Sequence, residues 1–296
     1  MNILDFQKMK NEGRKISMVT CYDYSSARVV AESNIDCILV GDSVAMTMHG
    51  FPNTLSATVE MMALHTAAVA RGASSKFIVA DLPFLSYRKG LKDAMDAVHQ
   101  LMSVGAHAVK LEGVSGHEEI IRHMVESGVP VMGHLGLTPQ SVHMLGGMKV
   151  QARTTATLDI LSRQACALEK AGCFALVLEC VPSIAARKVT ELLKIPTIGI
   201  GAGADVNGQV LVYQDMIGLN RGFMPKFLRT YANTFDRIQI ALNAYDRDVK
   251  DGKFPSESES YQESFSAAET VKNQTRISER KYRLTTGKIQ PLTKAG

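Results

Sequence analysis

Short runs of Val, Ile and Leu recur along this chain of 296 residues, and each is followed by a longer stretch with helical spacing. A run that is apolar throughout, rather than alternating, is what a strand buried on both faces requires. Parallel strands joined by crossover helices bury both faces. The runs predict strands at about Ile16–Cys21, Cys37–Val40, Phe77–Ala80, Ala108–Leu111, Val129–Gly133, Ala175–Leu178 and Thr197–Ile200. Helices are predicted near 25–34, 57–71, 90–104, 116–127, 155–171 and 183–193. Repetition of this unit points to an α/β chain of the (β/α)₈ TIM-barrel class, closed by an eighth strand. Gln209–Tyr213 has β character but begins only a few residues after the seventh run, whereas a parallel crossover takes a dozen or so. Gly208–Ile217 is therefore assigned to a helix with Asn207 as its N-cap, the last strand to Lys226–Leu228, and a closing helix to about 231–249.

The chain is 46% hydrophobic, enough for one large core at this length. From Pro255 onward the composition turns to Ser, Glu, Gln, Thr and Lys, which cannot bury enough surface to offset the entropy of ordering. The expected organisation is a catalytic barrel over residues 1–255 and a polar, flexible tail over 256–296, acidic first (Glu257, Glu259, Glu263, Glu269) and basic later (Arg276, Arg280, Lys281, Arg283, Lys288). A net charge of +4 spread over scattered lysines and arginines leaves no basic stripe, so no nucleic-acid partner is expected. No apolar run approaches the roughly 20 residues of a membrane span, and Met1 to Lys15 is polar, which predicts a cytoplasmic protein with no membrane partner. The five cysteines contain no CxxC pair and are expected as free, mostly buried thiols.

Most predicted strands end in a polar or ionisable residue, always at the same end. Asp42 and Ser43 follow the second, Asp81 the third, Lys110 and Glu112 the fourth, His134 the fifth and Glu179 the sixth. A parallel barrel gathers those ends into one mouth, where active sites of this fold lie. A carboxylate directly after Ile38-Leu39-Val40 is costly to bury unless paired or bound to a cation, and Asp42, Asp81 and Glu112 together would repel one another. A divalent metal resolves the conflict, and oxygen donors alone suit Mg²⁺ better than zinc. Helix caps or lysine pairs are the structural alternative for each acid. Lys110 and Glu112, two apart, face the same side of their strand, so Lys110 either holds a substrate carboxylate or pairs with its neighbour. Glu179, in Leu176-Val-Leu-Glu-Cys-Val181, is the candidate general base. His134 is either a core histidine or a substrate-facing one. Gly199-Ile-Gly-Ala-Gly203 lacks the GxGxxG spacing and a Walker lysine, so its glycines are assigned to a tight turn.

Val40-Gly-Asp-Ser43, Asp81-Leu-Pro-Phe84, Val109-Lys-Leu-Glu-Gly113, Pro130-Val-Met-Gly-His-Leu-Gly-Leu-Thr-Pro-Gln-Ser-Val142, Leu178-Glu-Cys-Val-Pro182 and Ile195-Pro-Thr-Ile-Gly-Ile-Gly-Ala-Gly203 occur in that order over residues 3–254. They resemble the ketopantoate hydroxymethyltransferase family, whose fold belongs with the phosphoenolpyruvate mutase/isocitrate lyase-like group. The resemblance implies transfer of a one-carbon unit from 5,10-methylenetetrahydrofolate to 3-methyl-2-oxobutanoate, a 2-oxo acid, giving 2-dehydropantoate on the way to pantothenate and coenzyme A. It implies Mg²⁺ linked to Asp42, Asp81 and Glu112, substrate contacts from Ser43 and Lys110, and Glu179 as the base that removes the C3 proton; Asp42, Asp81 and His134 are counted as further candidates for substrate binding. The resulting enolate then attacks the methylene carbon of an iminium formed from the folate. It also implies a homo-oligomer, a decamer of two pentameric rings. The sequence departs from the family pattern at Val44-Ala45, at Val206-Asn207 and at Ala152, which stands at a usual glycine. The rival reading is another magnesium-dependent barrel acting on 2-oxo acids. The Lys-Lys-Cys-Gly-His loop of the lyases is absent. A reading of a different class, a non-catalytic scaffold with the tail as its interaction module, predicts no folate-dependent turnover.

Overall fold

The computed structural model describes residues 1–222 and 224–262. Eight parallel strands close into a barrel in sequence order, β1 Ile16–Thr20, β2 Cys37–Val40, β3 Phe77–Asp81, β4 Ala108–Glu112, β5 Val131–Gly136, β6 Ala175–Glu179, β7 Thr197–Ile200 and β8 Gly208–Leu211, with β8 pairing back to β1. The helices are α1 Ile3–Asn11, α2 Tyr24–Glu32, α3 Val44–Thr47, α4 Val59–Gly72, α5 Leu91–Ser103, α6 Glu118–Glu126, α7 Val142–Leu145, α8 Thr155–Lys170, α9 Ser183–Leu192, α10 Tyr213–Met216 and α11 Thr234–Lys250. The chain divides into two compact units at Phe235/Asp236. The barrel lies in the first. In the second, the helix is followed by Phe254, whose ring meets Tyr245 edge to face at 5.5 Å. The later part of the expected tail, with Glu263, Glu269 and the basic residues, lies outside the described residues.

Why these segments form helices can be read from their ends and faces. Asp23 caps α2 by accepting from Ser26 N at 2.9 Å, and Thr58 caps α4 by accepting from Met61 N at 3.2 Å. On α5, Ala94, Ala97, Val98 and Leu101 follow the helical period and form its buried face. Strand alternation sorts the core into two layers. Ile38, Val40, Ile78, Val109, Leu111, Leu176 and Leu178 face the helices, whereas Met18, Leu39, Phe77, Val79, Ala108, Met132, Ala175 and Val177 fill the barrel.

Two expectations are corrected. Gly208–Ile217 is not one helix: it holds β8 and then the short α10. A crossover helix is unnecessary because the register sets Gly208 beside Ile198, only two residues back from the end of β7. Seven linking residues can reach about 24 Å, ample for that return. Asn207 is not a helix cap but a clasp between the two strands: its Oδ1 accepts from Thr197 N at 3.0 Å and its own N–H donates to Thr197 O at 2.9 Å. Lys226–Leu228, expected as the last strand, lies in a turn closed by Leu228 N donating to Pro225 O at 2.9 Å. Helix α1 was not expected. Asn2 and Asp5 form its capping box, and Phe6 and Met9, three apart, seat it in the floor of the barrel.

Candidate active site

The strand alternation that fills the barrel with apolar side chains brings Asp81, Lys110, Glu112, His134 and Glu179 inward at the opposite end. All but Glu179 are essentially buried, and so is Asp42 in the turn after β2. Lys110 Nζ lies 3.0 Å from Asp81 Oδ1, and Asp42 N donates to Asp81 Oδ2 at 3.0 Å. Gly41 leaves room for the Ser43 hydroxyl in the same turn, since a Cβ there would fall 2.9 Å from Ser43 Oγ. Glu112 turns one oxygen toward His134 Nδ1, at 3.3 Å, and accepts Gln140 N on the other at 3.0 Å. His134 Nε2 faces Glu179 Oε2, also at 3.3 Å.

Burial pushes the Asp42 carboxyl well above the usual range, and the neighbouring charges of Asp81 and Glu112 push it further. Asp81 is raised by burial too, though Lys110 opposes the shift. Burial depresses Lys110, but Asp81, Glu112 and Asp42 outweigh it and hold the ammonium charged. Burial and Lys110 likewise depress His134, yet the carboxylates of Glu112 and Glu179, one at each nitrogen, raise it to about 9. The imidazolium thus bridges two acids. Lys110 Nζ also stands 3.4 Å from Nδ1, a cation beside a cation, tolerable because each has its own carboxylate. The apolar neighbours of Glu179 in the sequence, Leu176 and Leu178, face the outer layer, so what its carboxylate meets is His134.

Sequence reasoning missed three residues here. Gln140, in the turn Pro139–Ser141 after β5, donates from Nε2 to Asp42 Oδ2 at 2.8 Å and to Leu82 O at 3.0 Å, tying three loops together. Tyr87 receives Glu112 N on its hydroxyl at 3.1 Å and lies 3.0 Å from Gln140 Oε1. Tyr22 bonds Ser43 Oγ at 2.7 Å and so fixes the hydroxyl beside Asp42. None of the three ends a strand. The only signal was for Gln140, through its place in the long motif after β5.

The donor set suits a hard cation: oxygen ligands only, an Asp42 carboxyl unfavourable without positive charge, and an Asp81 Oδ1 with no aligned hydrogen bond. Among the described residues no three His, Cys, Asp or Glu side chains stand ready around one point.

Solved structures share the fold. One is 2,3-dimethylmalate lyase, a phosphoenolpyruvate mutase/isocitrate lyase superfamily member, with TM-score 0.56 and 14% identity over 93% of this chain and 98% of that one. A phosphonopyruvate hydrolase in complex with oxalate and Mg²⁺ has TM-score 0.56 and 13% identity over 97% and 100%. Sequence relatives are nearer. The 3-methyl-2-oxobutanoate hydroxymethyltransferase of Bdellovibrio bacteriovorus is 60% identical, covering 88% of this chain and 98% of its own length. Those of Coxiella burnetii and Legionella pneumophila are 55% and 52% identical, covering 86% and 88% of this chain. The profile described as Ketopantoate hydroxymethyltransferase matches residues 1–257, and with this acid-lined mouth the chain belongs to that family of enzymes.

Proposed function

We propose that the mouth removes the C3 proton of 3-methyl-2-oxobutanoate and joins that carbon to a one-carbon unit from 5,10-methylenetetrahydrofolate, giving 2-dehydropantoate. The substrate and product follow the relatives, and the residues supply the division of labour. Glu179 accepts the C3 proton. The observation that carries this is its accessibility: its side chain is 18% exposed, whereas those of Asp81 and Glu112 are each 3% exposed, so among these acids Glu179 can meet a C–H from solvent. His134 holds Glu179 in place and offers it a proton partner across 3.3 Å. Ser43, steadied by Tyr22, and Lys110 are the donors for the substrate carboxylate and keto oxygen. One C–H bond breaks and one C–C bond forms; both C–N bonds that held the methylene to the folate break, water supplies the new hydroxyl oxygen, and the C3 proton and the second proton of water end on the two nitrogens of the departing tetrahydrofolate.

Asp42, Asp81 and Glu112 are the metal-linked acids of this reading, with Gln140 orienting Asp42 and Glu112. When bound, Mg²⁺ polarises the keto group as a Lewis acid. A positioned base alone gives about 10²–10⁴-fold, too little for a branched, weakly acidic C–H. The oxalate and Mg²⁺ complex of phosphonopyruvate hydrolase, on the same fold, supports the assignment. Residues 1–255 would be the catalytic part and 256–296 a tail, in keeping with a family match that ends at residue 257. A cytoplasmic homo-oligomer, a decamer, also belongs to this reading. Helix α11 has no buried residue and exposes Ile240, Leu242 and Tyr245, surface suited to assembly.

The test is an assay of the purified protein with both substrates, with and without EDTA, beside C3 deuterium exchange in D₂O. Product formation and exchange should both require a divalent ion. Turnover that persists in EDTA would overturn the metal assignment, and exchange that persists in Glu179→Gln would overturn the base.

A further inference from the structure

A bond between two substrates needs two binding places that open onto the same reacting groups, and the acid cluster accounts for one. The barrel carries a cavity of about 440 Å³ at the upper ends of β4 and β5, walled on its far side by α8. Four other clefts share no residue with the acid cluster. This one includes Glu112 in its wall and, beside it, Gly136. Gly136 pairs with Glu179 across the sheet, and a Cβ at that position would collide with the Glu179 carbonyl, which accepts Leu137 N at 2.8 Å. The cavity therefore adjoins the strand end that presents the proposed base.

Its chemistry is not that of a small anion site. Leu135, Leu145 and Leu161 offer an apolar slot, while the amides of Gln151 and Gln164 and the hydroxyl of Thr138 lie along it. Such a slot accepts a flat heterocycle with an amide-like edge, and the volume falls in the range of roughly 300–1,000 Å³ typical of sites for drug-sized ligands. At its rim Arg88 donates to Ser115 O at 3.1 Å and to Glu112 O at 3.0 Å, so its guanidinium is fixed in place as a cation.

We infer that this cavity is the subsite for the reduced pterin that delivers the one-carbon unit, with the ring in the slot between β5 and α8 and Arg88 facing the anionic tail. The inference rests on the proposed function and adds to it the second substrate's place. An occupant there would present its carbon from the Glu112 and Gly136 side of the mouth, toward the carbon that Glu179 has deprotonated.

The experiment compares wild type with Ile160→Trp, which fills the slot from an exposed position on α8, and Gln164→Leu, which removes one amide. Two rates are measured on each: turnover against methylenetetrahydrofolate concentration, and C3 deuterium exchange of 3-methyl-2-oxobutanoate without folate. The expected result is a KM for the folate raised tenfold or more in both variants, with exchange within twofold of wild type. A folate KM unchanged within twofold would remove the pterin from this cavity. A parallel fall in exchange would show that these residues support the oxo-acid site instead, and would equally overturn the inference. Failure of the function itself looks different: wild type would then show no dependence on the folate at all.

Discussion

At the lower end of the barrel interior, Phe6 meets Phe77 and Phe174 edge to face, at 5.4 and 5.2 Å. At the upper end, the same strands present Asp81, Lys110, Glu112, His134 and Glu179. On β3 the inward positions run Phe77, Val79, Asp81; on β4 Ala108, Lys110, Glu112; on β6 Ala175, Val177, Glu179. Four residues of strand, about 13 Å, separate a close-packed aromatic floor from a group of buried charges. The floor contributes stability through packing. The mouth packs acids so closely that burial and like charge disfavour the ionised form of Asp42, with Lys110 and His134 as the opposing cations.

This contrast predicts that upper-end substitutions change chemistry with little loss of fold, and lower-end ones the reverse. The largest effect is expected for Glu179→Gln, which should lower C3 proton exchange by about 10²–10⁴-fold. Its affinity for the 2-oxo acid, followed by calorimetry, should be retained; a variant that exchanges normally would end the comparison at its most important residue. Phe6→Ala should cost about 3–5 kcal/mol in urea unfolding while the surviving folded enzyme keeps its kcat. A large fall in kcat there would mean that the floor and the mouth are coupled.

Asp42→Asn should melt higher than wild type in EDTA, because it removes a buried acid from like-charged neighbours. Wild type should gain stability from Mg²⁺, about 2.7 kcal/mol at a hundredfold excess over Kd, and Asp42→Asn should gain little. Equal metal-induced shifts in melting would refute the role of Asp42.

His117 offers a smaller test beside the mouth. Burial, and then the Arg88 charge, lower its pKa from 6.5 to about 4. The folded pKa is depressed, so the neutral ring is favoured in the native state. Its contribution is therefore complete above pH 6.5 and declines as pH falls toward 4. A melting profile over that range should be steeper for wild type than for His117→Phe. Last, Ala152 sits in the left-handed region at φ 53, so Ala152→Gly should stabilise by about 1 kcal/mol, readable as a small rise in Tm. That backbone angle also gives a physical reason for the glycine expected at this position.

Much of this was legible in the sequence because barrel strands are buried on both sides, and apolar runs ending in acids are hard to mistake. Seven strands and the upper-end positions of Asp81, Glu112, His134 and Glu179 follow from that pattern. The eighth strand did not, because a general rule about crossover length gave way to a local fact, the two-residue setback between Ile200 and the Gly208 register. Helix α1 was legible in principle through Asn2, Asp5, Phe6 and Met9, a capping box followed by a staggered apolar pair. Gln140, Tyr22 and Tyr87 were not, since their importance comes from where loops bring them and no periodicity marks it. Nor does spacing reveal that His134 has an acid at each nitrogen, which depends on the register of β4, β5 and β6.

The lysine at the centre of the mouth has one more effect, on the order of events. Four acids, Asp42, Asp81, Glu112 and Glu179, stand against only Lys110 and His134, and burial among those neighbours favours the neutral form of the Asp42 carboxyl. On the proposed reading, a dication taken up by Asp42 would displace that proton and supply the positive charge on which an oxo-acid anion could settle. Loading would then be sequential, cation first and anion second, with Lys110 the standing counter-ion of Asp81 throughout.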